Sequence, residues 1–452
     1  MARFILRWYW IVSGFLKKHL KGLLIGLVVG VLAFIEGSKL VHLLPFKNSH
    51  YYGRIGTYTI QTLPLDIQQK VSSGLTRINP DGSTDLDTAQ TMTISQDGKS
   101  YTFTLNPNSF WSTGTKLNSG DITLAPSDVQ ISHPSDETIS FNLSEPFAPF
   151  PIIASQPILK KISGRWPLKK TTIVGLNEYQ ITNIKTTDQY LRSLTLNGKK
   201  DIIHYIFYPT EADSVTALKL GHIDNIEMVT NPYLTDWPNM TAKEIQPVKR
   251  YLALFYNTQN ADLQDKTIRQ LLSYAAPKDP LKQRVLSPIS KLSWAYNPQV
   301  KPYDYNLETA KSMFDKLKTA NSNMVLNFEL TTTPTYSDIA DSIVTSWQQI
   351  GINAKVKIVP YPDLNDYQIL LIGQEIPDDP DQYALWHSTQ TSNITKYQNP
   401  KIDKLLEDGR KETDTEKRKQ IYQDFQRFLL EDSPATFLYD LPLYNVSRKS
   451  SS

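Results

Sequence analysis

The sequence predicts a mixed α/β fold of two or three packed lobes, preceded by a segment that inserts into a membrane. Alternating apolar positions typical of strands recur along the same chain as the three- and four-residue spacing of amphipathic helices. The length of 452 residues exceeds what one ordinary hydrophobic core occupies, which favours several lobes. An uninterrupted apolar run near the amino terminus predicts the membrane segment.

The amino-terminal segment differs from the rest of the chain in charge and hydropathy. Residues 22–35 are uninterruptedly apolar and follow a lysine-rich stretch, and continuing the helix to residue 44 gives a span of the required ~20 residues. Basic residues before the run predict that 1–21 lies in the cytoplasm or at the membrane interface. Residues 22–44 would then be an uncleaved single-pass anchor, with the remainder extracytoplasmic. A cleaved signal peptide is the alternative, although no small-x-small cleavage site follows the run.

Charge and cysteine content exclude several classes of function. Seven Lys or Arg and one Glu lie in the first fifty residues and contribute +6 to the formal net charge of +3, which leaves about −3 for the remainder. No basic field therefore remains on the folded part to attract a nucleic acid. The chain has no cysteine, which excludes disulfides, thiolate metal sites, cysteine nucleophiles and a lipoprotein anchor.

From residue 51 onward, the patterning predicts a succession of strands and helices. A hairpin is expected at 92–105, where alternating residues flank the turn containing Asp97 and Gly98. Further strands are predicted at 138–143, 202–208, 252–257, 324–330, 354–359 and 367–371. Helices are predicted at 212–220, 266–274, 307–317, 337–350 and 414–430. Asn306 is expected to cap the third of these helices, and Gly351 to end the fourth.

Eight short motifs occur in order between residues 70 and 446. They are Gly74-Leu75 with DGKSYTFTL (97–105) and WSTGTKLNSGDI (111–122), EPFAPF (145–150), ALKLGHID (217–224), Asn257 with DKTIRQLLSYA (265–275), YDYNLETAKSMF (303–314), IGI (350–352), DPD (379–381) and NPKIDKLL (399–406). Together they resemble the family 5 extracellular solute-binding proteins, a group that contains the oligopeptide-, dipeptide- and nickel-binding subunits of ABC importers.

The resemblance implies a periplasmic-binding-protein-like type II clamshell of three lobes that closes on its ligand by hinge motion. The ligand is expected between lobes I and III. Lobe II is expected to be abbreviated, because the helical segment of the family after the WSTGT motif is nearly absent between 122 and 135. The implied boundaries are 51–65, 164–245 and the strand at 436–446 for a discontinuous lobe I, 66–163 for lobe II, and 246–435 for lobe III.

The resemblance also implies ligand-contacting residues in lobe III. Relatives hold the α-amino group of a peptide with an Asp shortly before the Asp-Pro dipeptide, because a buried ammonium needs a charged partner. Ile376 occupies that position here, which leaves Glu375 and Asp378 as alternatives in the same loop. The remaining expected contacts are the cleft walls Trp294, Tyr296 and Trp386 and the amides of Asn257 and Asn393.

The expected function is the capture of oligopeptides or a peptide-like solute for an ABC permease and ATPase. The protein is expected to be a monomer with no catalytic residue, metal ion or cofactor, and neither G-x-S-x-G nor H-E-x-x-H occurs to support a hydrolase. One alternative is a metal-chelate binder of the nickel type, with His387 as the histidine nearest the expected cleft. Another is an anchored peptide-binding scaffold or chaperone that is not coupled to transport.

Overall fold

The computed structural model describes residues 47–123, 128–163, 171–232 and 237–449, together with some positions between 10 and 30. Within that described part, no helix is both long enough and apolar enough to cross a membrane. The predicted anchor at 22–44 lies almost wholly outside the described residues and stays a prediction. Residues 1–49 and 199–202 form one unit of the chain, and the sites considered below lie in the other.

In the described residues the chain forms twenty strands. They are β1 (Asn48–Ile55), β2 (Thr76–Ile78), β3 (Thr84–Leu86), β4 (Ala89–Ile94), β5 (Ser100–Leu105), β6 (Gln130–Ser135), β7 (Thr138–Asn142), β8 (Lys160–Ser163), β9 (Thr171–Val174), β10 (Gln180–Thr187), β11 (Tyr190–Asn197), β12 (Asp201–Tyr208), β13 (Asn225–Val229), β14 (Met240–Glu244), β15 (Arg250–Tyr256), β16 (Asn327–Thr332), β17 (Asn353–Ile358), β18 (Ile369–Glu375), β19 (Ala435–Asp440) and β20 (Tyr444–Arg448).

The same residues include nine α-helices, most of them in the carboxyl-terminal half. They are α1 (Leu65–Val71), α2 (Phe150–Ile153), α3 (Glu211–Leu220), α4 (Lys266–Ala275), α5 (Leu307–Ala320), α6 (Ser337–Gln349), α7 (Tyr383–Trp386), α8 (Pro400–Lys411) and α9 (Thr415–Asp432). Strands and helices thus occur together as the spacing predicts, and the fold is mixed α/β.

The strands form three main sheets, and each sheet defines a lobe. Lobe I is built on a nine-stranded sheet in the order β14-β20-β13-β1-β12-β11-β10-β9-β8. Lobe II contains a four-stranded sheet, β4-β5-β7-β6, and the short pair β2-β3. Lobe III is built on a five-stranded sheet in the order β17-β16-β18-β15-β19.

The predicted hairpin and helix ends are confirmed. β4 and β5 pair antiparallel, and Gly98 in their turn has φ of +69°, a left-handed conformation that favours glycine. The Asn306 side chain accepts a hydrogen bond from the Thr309 amide at 2.8 Å and so caps α5. Gly351, with φ of +87°, follows α6.

Strand pairing differs from the predicted lobe boundaries at two points. β19 pairs antiparallel with β15 and therefore belongs to the lobe III sheet, although 436–446 is predicted to be lobe I. Within that segment, β20 alone pairs with β13 and β14 of lobe I. β8, predicted to end lobe II, pairs with β9 at the edge of the lobe I sheet. Both differences arise because the sequence of a short strand does not show which sheet it joins, whether the strand is buried like β19 or exposed like β8.

The lobe III sheet is buried on both faces, which explains the composition of its central strand. β15 reads RYLALFY, and every residue after Arg250 is buried. On one face Leu252 and Leu254 pack with Trp347 of α6, and on the other Phe255 packs in a cluster with Phe425 of α9. A strand covered on both faces carries apolar residues continuously rather than in alternation. Polar side chains therefore appear on β15 where it leaves the core, at Arg250.

Candidate functional site

Two neighbouring segments connect lobe I to lobe III. The first, residues 245–249, joins β14 to β15, and the second, residues 441–443, joins β19 to β20. The Ile245 amide of the first segment donates to Leu443 O of the second at 2.8 Å, and the Leu441 amide of the second donates to Arg250 O, at the start of β15, at 2.9 Å. Few connections that lie side by side are the usual structure of a hinge.

A cavity of about 890 Å³, called the main cavity below, lies beside this hinge. Lobe I contributes residues 230–232 and Tyr444 to its lining, and lobe III contributes Arg250 and Tyr336. The volume falls within the ~300–1,000 Å³ that is usual for small-molecule sites. Because both lobes line the cavity, a relative motion of the lobes about the hinge changes its shape.

Two smaller cavities adjoin the main cavity. The side cavity, about 310 Å³, shares Gln283, Ser290, Lys291 and Asp440 with it. The deep cavity, about 30 Å³, shares Ser290 with both of the others and reaches the lobe II loop at Gly82. The loop 281–293 of lobe III therefore stands at the junction of all three cavities.

Charged side chains of both signs surround the main cavity at the end of the lobe III sheet. Arg250 and Glu375 lie opposite each other in the antiparallel register of β15 and β18, but their charged groups are more than 4 Å apart. Among the described residues, no other carboxylate forms an ion pair with Arg250, which lines the cavity. Burial raises the pKa of the Tyr336 phenol, and the nearby Arg250 guanidinium opposes that shift. Arg250 is thus a half-buried cation facing the cavity without a carboxylate partner in the described part of the chain.

Asp378 is held at the deep cavity by two contacts. Its carboxylate forms an ion pair with Lys249 of the hinge segment. Its carbonyl oxygen lies against Gly82 of lobe II, where an added Cβ would come within 2.2 Å. Gly82 also has φ of +81°, so both backbone conformation and space require glycine there. The close approach joins the lobe II loop to the loop that follows β18.

The two acids of the DPD motif are already neutralised by arginines. Arg418 binds Asp379 with two parallel hydrogen bonds, one of them 2.9 Å long, and Arg410 Nε donates to Asp381 at 3.0 Å. Burial raises the pKa of Asp381, and the Arg410 guanidinium opposes that shift. Carboxylates bound in this way stabilise the loop and are not free to act as a general base or a metal ligand.

Four of the predicted contact residues lie at or beside the cavities. Asp378 lines the deep cavity and Tyr296 lines the side cavity. Glu375 ends β18 next to Arg250 and is exposed. The Trp294 amide donates to Asp81 O of lobe II at 3.1 Å, and its ring lies 5.6 Å from the guanidinium of Arg418. Trp294, predicted to be a wall of the cleft, therefore contacts lobe II through its backbone amide.

The other three predicted contact residues lie away from these cavities, which corrects their assignment to the cleft. Trp386 is 2% exposed and packs against Phe255. The buried Asn393 amide donates to Tyr397 O at 2.9 Å, so it bonds its own loop backbone. Asn257 lies at the far end of β15, about 20 Å from Arg250 at the usual rise per residue, and its amide donates to Tyr367 O.

The histidine of the metal-chelate alternative also lies outside the cleft. His387 is 5% exposed, with Nε2 3.4 Å from Glu407 and Nδ1 2.9 Å from Thr389 Oγ1. None of the described residues that line the main, side and deep cavities is a histidine. No group of three or more His, Cys, Asp or Glu suited to a metal ion occurs in the described part of the chain.

Sequence reasoning missed the charged residues that line the main cavity. Arg250, Lys291 and Asp440 are three of them, and Glu244 and Lys282 are the others. A signal was present for two of them. Arg250 precedes the apolar run YLALFY, and Asp440 follows the apolar run ATFLY and precedes Leu441-Pro442. A charge at the end of a continuously apolar strand marks the point where the strand leaves the core. The spacing alone does not show that these two ends meet at one cavity.

The sequence matches a family model described as bacterial extracellular solute-binding proteins, family 5 Middle, over residues 123–396. The match spans more than half of the chain, so the chain belongs to this family of solute-binding proteins, which are not enzymes. Membership places the folded lobes among extracytoplasmic proteins.

Curated relatives are 21–26% identical to this chain over the aligned residues. Oligopeptide-binding protein AppA of Bacillus subtilis (strain 168) is 26% identical over 314 residues, which span 62% of this chain and 57% of AppA. The probable D,D-dipeptide-binding periplasmic protein DdpA of Escherichia coli (strain K12) is 22% identical over 423 residues, 79% of this chain and 80% of DdpA.

Solved structures share the fold over most of the chain. CtaP, an ABC transporter substrate-binding protein from Listeria monocytogenes, has a TM-score of 0.72 at 19% identity and covers 89% of this chain and 94% of its own. NikZ from Campylobacter jejuni, in complex with Ni(L-His), has a TM-score of 0.69 at 21% identity, with coverage of 88% and 94%. AppA from Bacillus subtilis in complex with a nonapeptide has a TM-score of 0.64 at 21% identity, with coverage of 89% and 95%. This likeness shows that the chain has a periplasmic-binding-protein-like fold.

Proposed function

We propose that this chain captures a peptide or peptide-like zwitterion between lobes I and III and delivers it to an ABC permease and its ATPase. The main cavity carries the proposal: it has a volume of about 890 Å³, lies beside the hinge, and is lined by both lobes with charges of both signs. A cleft of this kind closes on its ligand by rotation of the lobes and so buries it from water.

Arg250 is the residue we propose for the ligand's carboxylate. Its guanidinium lines the main cavity and has no carboxylate partner among the described residues. A guanidinium and a carboxylate form two parallel charge-assisted hydrogen bonds, which are stronger than bonds between neutral groups. The relatives named as oligopeptide- and dipeptide-binding proteins support a ligand that carries such a group.

The proposal extends to the membrane. Residues 22–44 would anchor the chain as a single span, with residues 1–21 on the cytoplasmic side and the three lobes outside as a monomer. The charge asymmetry around the apolar run supports this orientation. An anchor keeps the receptor beside its permease and raises the effective concentration of each for the other.

Retention of ligand by the full 452-residue chain tests the proposed function. The purified chain in detergent micelles is incubated with a pool of synthetic di- to hexapeptides, and native mass spectrometry identifies what remains bound. Arg250→Met should weaken retention of peptides with a free carboxylate by about ten- to a hundredfold, the effect of losing one charged hydrogen-bond partner. Arg77→Met changes an exposed ion pair of lobe II and should retain peptides normally. Retention of no peptide by the unaltered chain would refute the proposal.

A further inference from the structure

Asp440 is a half-buried acid that stands at the junction of two cavities. It is the last residue of β19 and lines both the main cavity and the side cavity. Its backbone amide donates to Gln283 O at 2.9 Å, which fixes the position of the residue. None of the described residues donates a hydrogen bond to its carboxylate or lies within ion-pair distance of it.

An unpartnered carboxylate in this position is costly to the fold. Burial disfavours its charged form, the exposed Lys291 offers partial compensation from a distance, and Glu244 adds repulsion. The buried acids of the neighbouring loop, by contrast, have partners within the chain, since Asp379 and Asp381 each form an ion pair with an arginine. A carboxylate left without a partner at the wall of a cavity indicates that its partner comes from outside the chain.

Three other acids near the cavities are less suited to bind an incoming cation. Asp378 is already paired with Lys249. Glu375 is exposed, so water screens its charge. Glu244 is exposed, where water screens its charge. Asp440 alone among these four is both half-buried and unpaired in the described part of the chain.

We propose that Asp440 binds a protonated amine of the captured solute, and that the side chain next to this amine enters the side cavity. The proposal rests on the proposed function of capture and adds the residue that binds the ligand's amine. An ammonium placed at Asp440 neutralises the half-buried carboxylate and forms a charge-assisted hydrogen bond with it. The side cavity, about 310 Å³, offers space for one side chain and reaches the phenol of Tyr296.

Strand geometry separates this amine site from the proposed carboxylate site. Asp440 pairs in register with Tyr251, and the next residue of β15 in the amino-terminal direction is Arg250. Neighbouring residues of a strand point to opposite faces of the sheet. The guanidinium and the carboxylate therefore project from opposite faces at the end of the lobe III sheet. A zwitterion lying across this end of the sheet would place its carboxylate at Arg250 and its amine at Asp440.

The test compares amine-bearing and amine-blocked probes on the full chain. The probes are a pool of synthetic di- to hexapeptides and the same pool after N-acetylation, and native mass spectrometry measures retention of each. The unaltered chain should retain free-amine peptides about ten- to a hundredfold better than their acetylated forms. Asp440→Asn, which preserves shape and removes the charge, should abolish that preference. Glu244→Gln also removes a carboxylate at the main cavity and should keep the preference.

Each outcome of this test decides one point. Acetylated peptides that contain lysine and are retained in an Asp440-dependent manner would place a side-chain amine at the site, which supports the proposal equally. Peptides retained by the unaltered chain without regard to acetylation, or a preference that survives Asp440→Asn, would overturn it. Retention of nothing by the unaltered chain would instead refute capture itself. Thermal unfolding of ligand-free Asp440→Asn should occur no lower than that of the unaltered chain, whereas a structural role would lower it.

Discussion

Removal of the Asp379 carboxylate tests whether the DPD loop is held by a buried ion pair. Asp379 and Arg418 are 9% and 6% exposed, and Arg418 also donates from Nε to Gly409 O at 2.7 Å. Asp379→Ala leaves the guanidinium buried without its carboxylate. Removing one partner of a buried pair costs ~3–5 kcal/mol, so the free energy of unfolding should fall by about that amount.

A double variant distinguishes the free-energy cost of burying one unpaired charge from the net contribution of the ion pair to stability. Asp379→Ala combined with Arg418→Met removes both charges and should lose clearly less stability than the sum of the single variants. Equilibrium unfolding in urea, followed by tryptophan fluorescence of the full chain, measures each change. Asp424→Ala on α9 is the control, because its pair with Arg427 is about half exposed and should be worth at most ~1 kcal/mol. A single Asp379 variant as stable as this control, or strictly additive losses of stability, would show that no buried ion pair holds the loop.

Three further predictions concern backbone fit, capping and pH. Gly82→Ala should destabilise the chain more than Gly114→Ala. Both glycines have positive φ, but an added Cβ meets Asp378 O at Gly82 and nothing within 4 Å at Gly114. Equal decreases in the free energy of unfolding, measured in urea, would contradict the close approach to Asp378. Asp265→Ala should cost ~1 kcal/mol, because the side chain accepts from the Thr267 amide at 2.7 Å and caps α4; an unchanged midpoint would contradict that role. Burial raises the pKa of Asp440, with Lys291 opposing the shift and Glu244 adding to it. Because its pKa is higher in the folded chain than the ordinary value of 3.8 for an unfolded chain, the protonated form of Asp440 favours folding. This contribution to the free energy of unfolding is fully present below pH 3.8 and is lost as pH rises through the raised pKa. Ligand-free Asp440→Asn should therefore gain stability relative to the unaltered chain between about pH 4 and pH 7, and a constant difference would contradict the shift.

The features of the fold that could be predicted from the sequence are those that depend on the local spacing of residues. The hairpin at Gly98 and the cap at Asn306 depend on residues within a few positions of each other, and both occur as predicted. The order of the motifs was sufficient to identify the family. The assignment of β19 failed because an apolar strand of six residues does not reveal which sheet it joins.

The candidate site depends on contacts between distant residues, which spacing does not reveal. Asp379 and Arg418 are 39 positions apart, so the acidic motif gave no indication that its carboxylate is already neutralised. Trp386 ends the short helix α7 and Asn393 lies in the polar loop that follows it, yet both side chains are buried in lobe III. Arg250 and Asp440 come together because β15 and β19 are adjacent strands, and that adjacency is a property of the folded sheet.

Capture of a zwitterion between lobes I and III is most directly tested by a crystal structure of the full chain with a retained peptide. We expect electron density for the peptide in the main cavity, with its carboxylate at Arg250, its amine at Asp440, and residues 230–232 of lobe I closed over it. A peptide bound elsewhere, or one in the main cavity whose charges meet neither Arg250 nor Asp440, would contradict capture at this site.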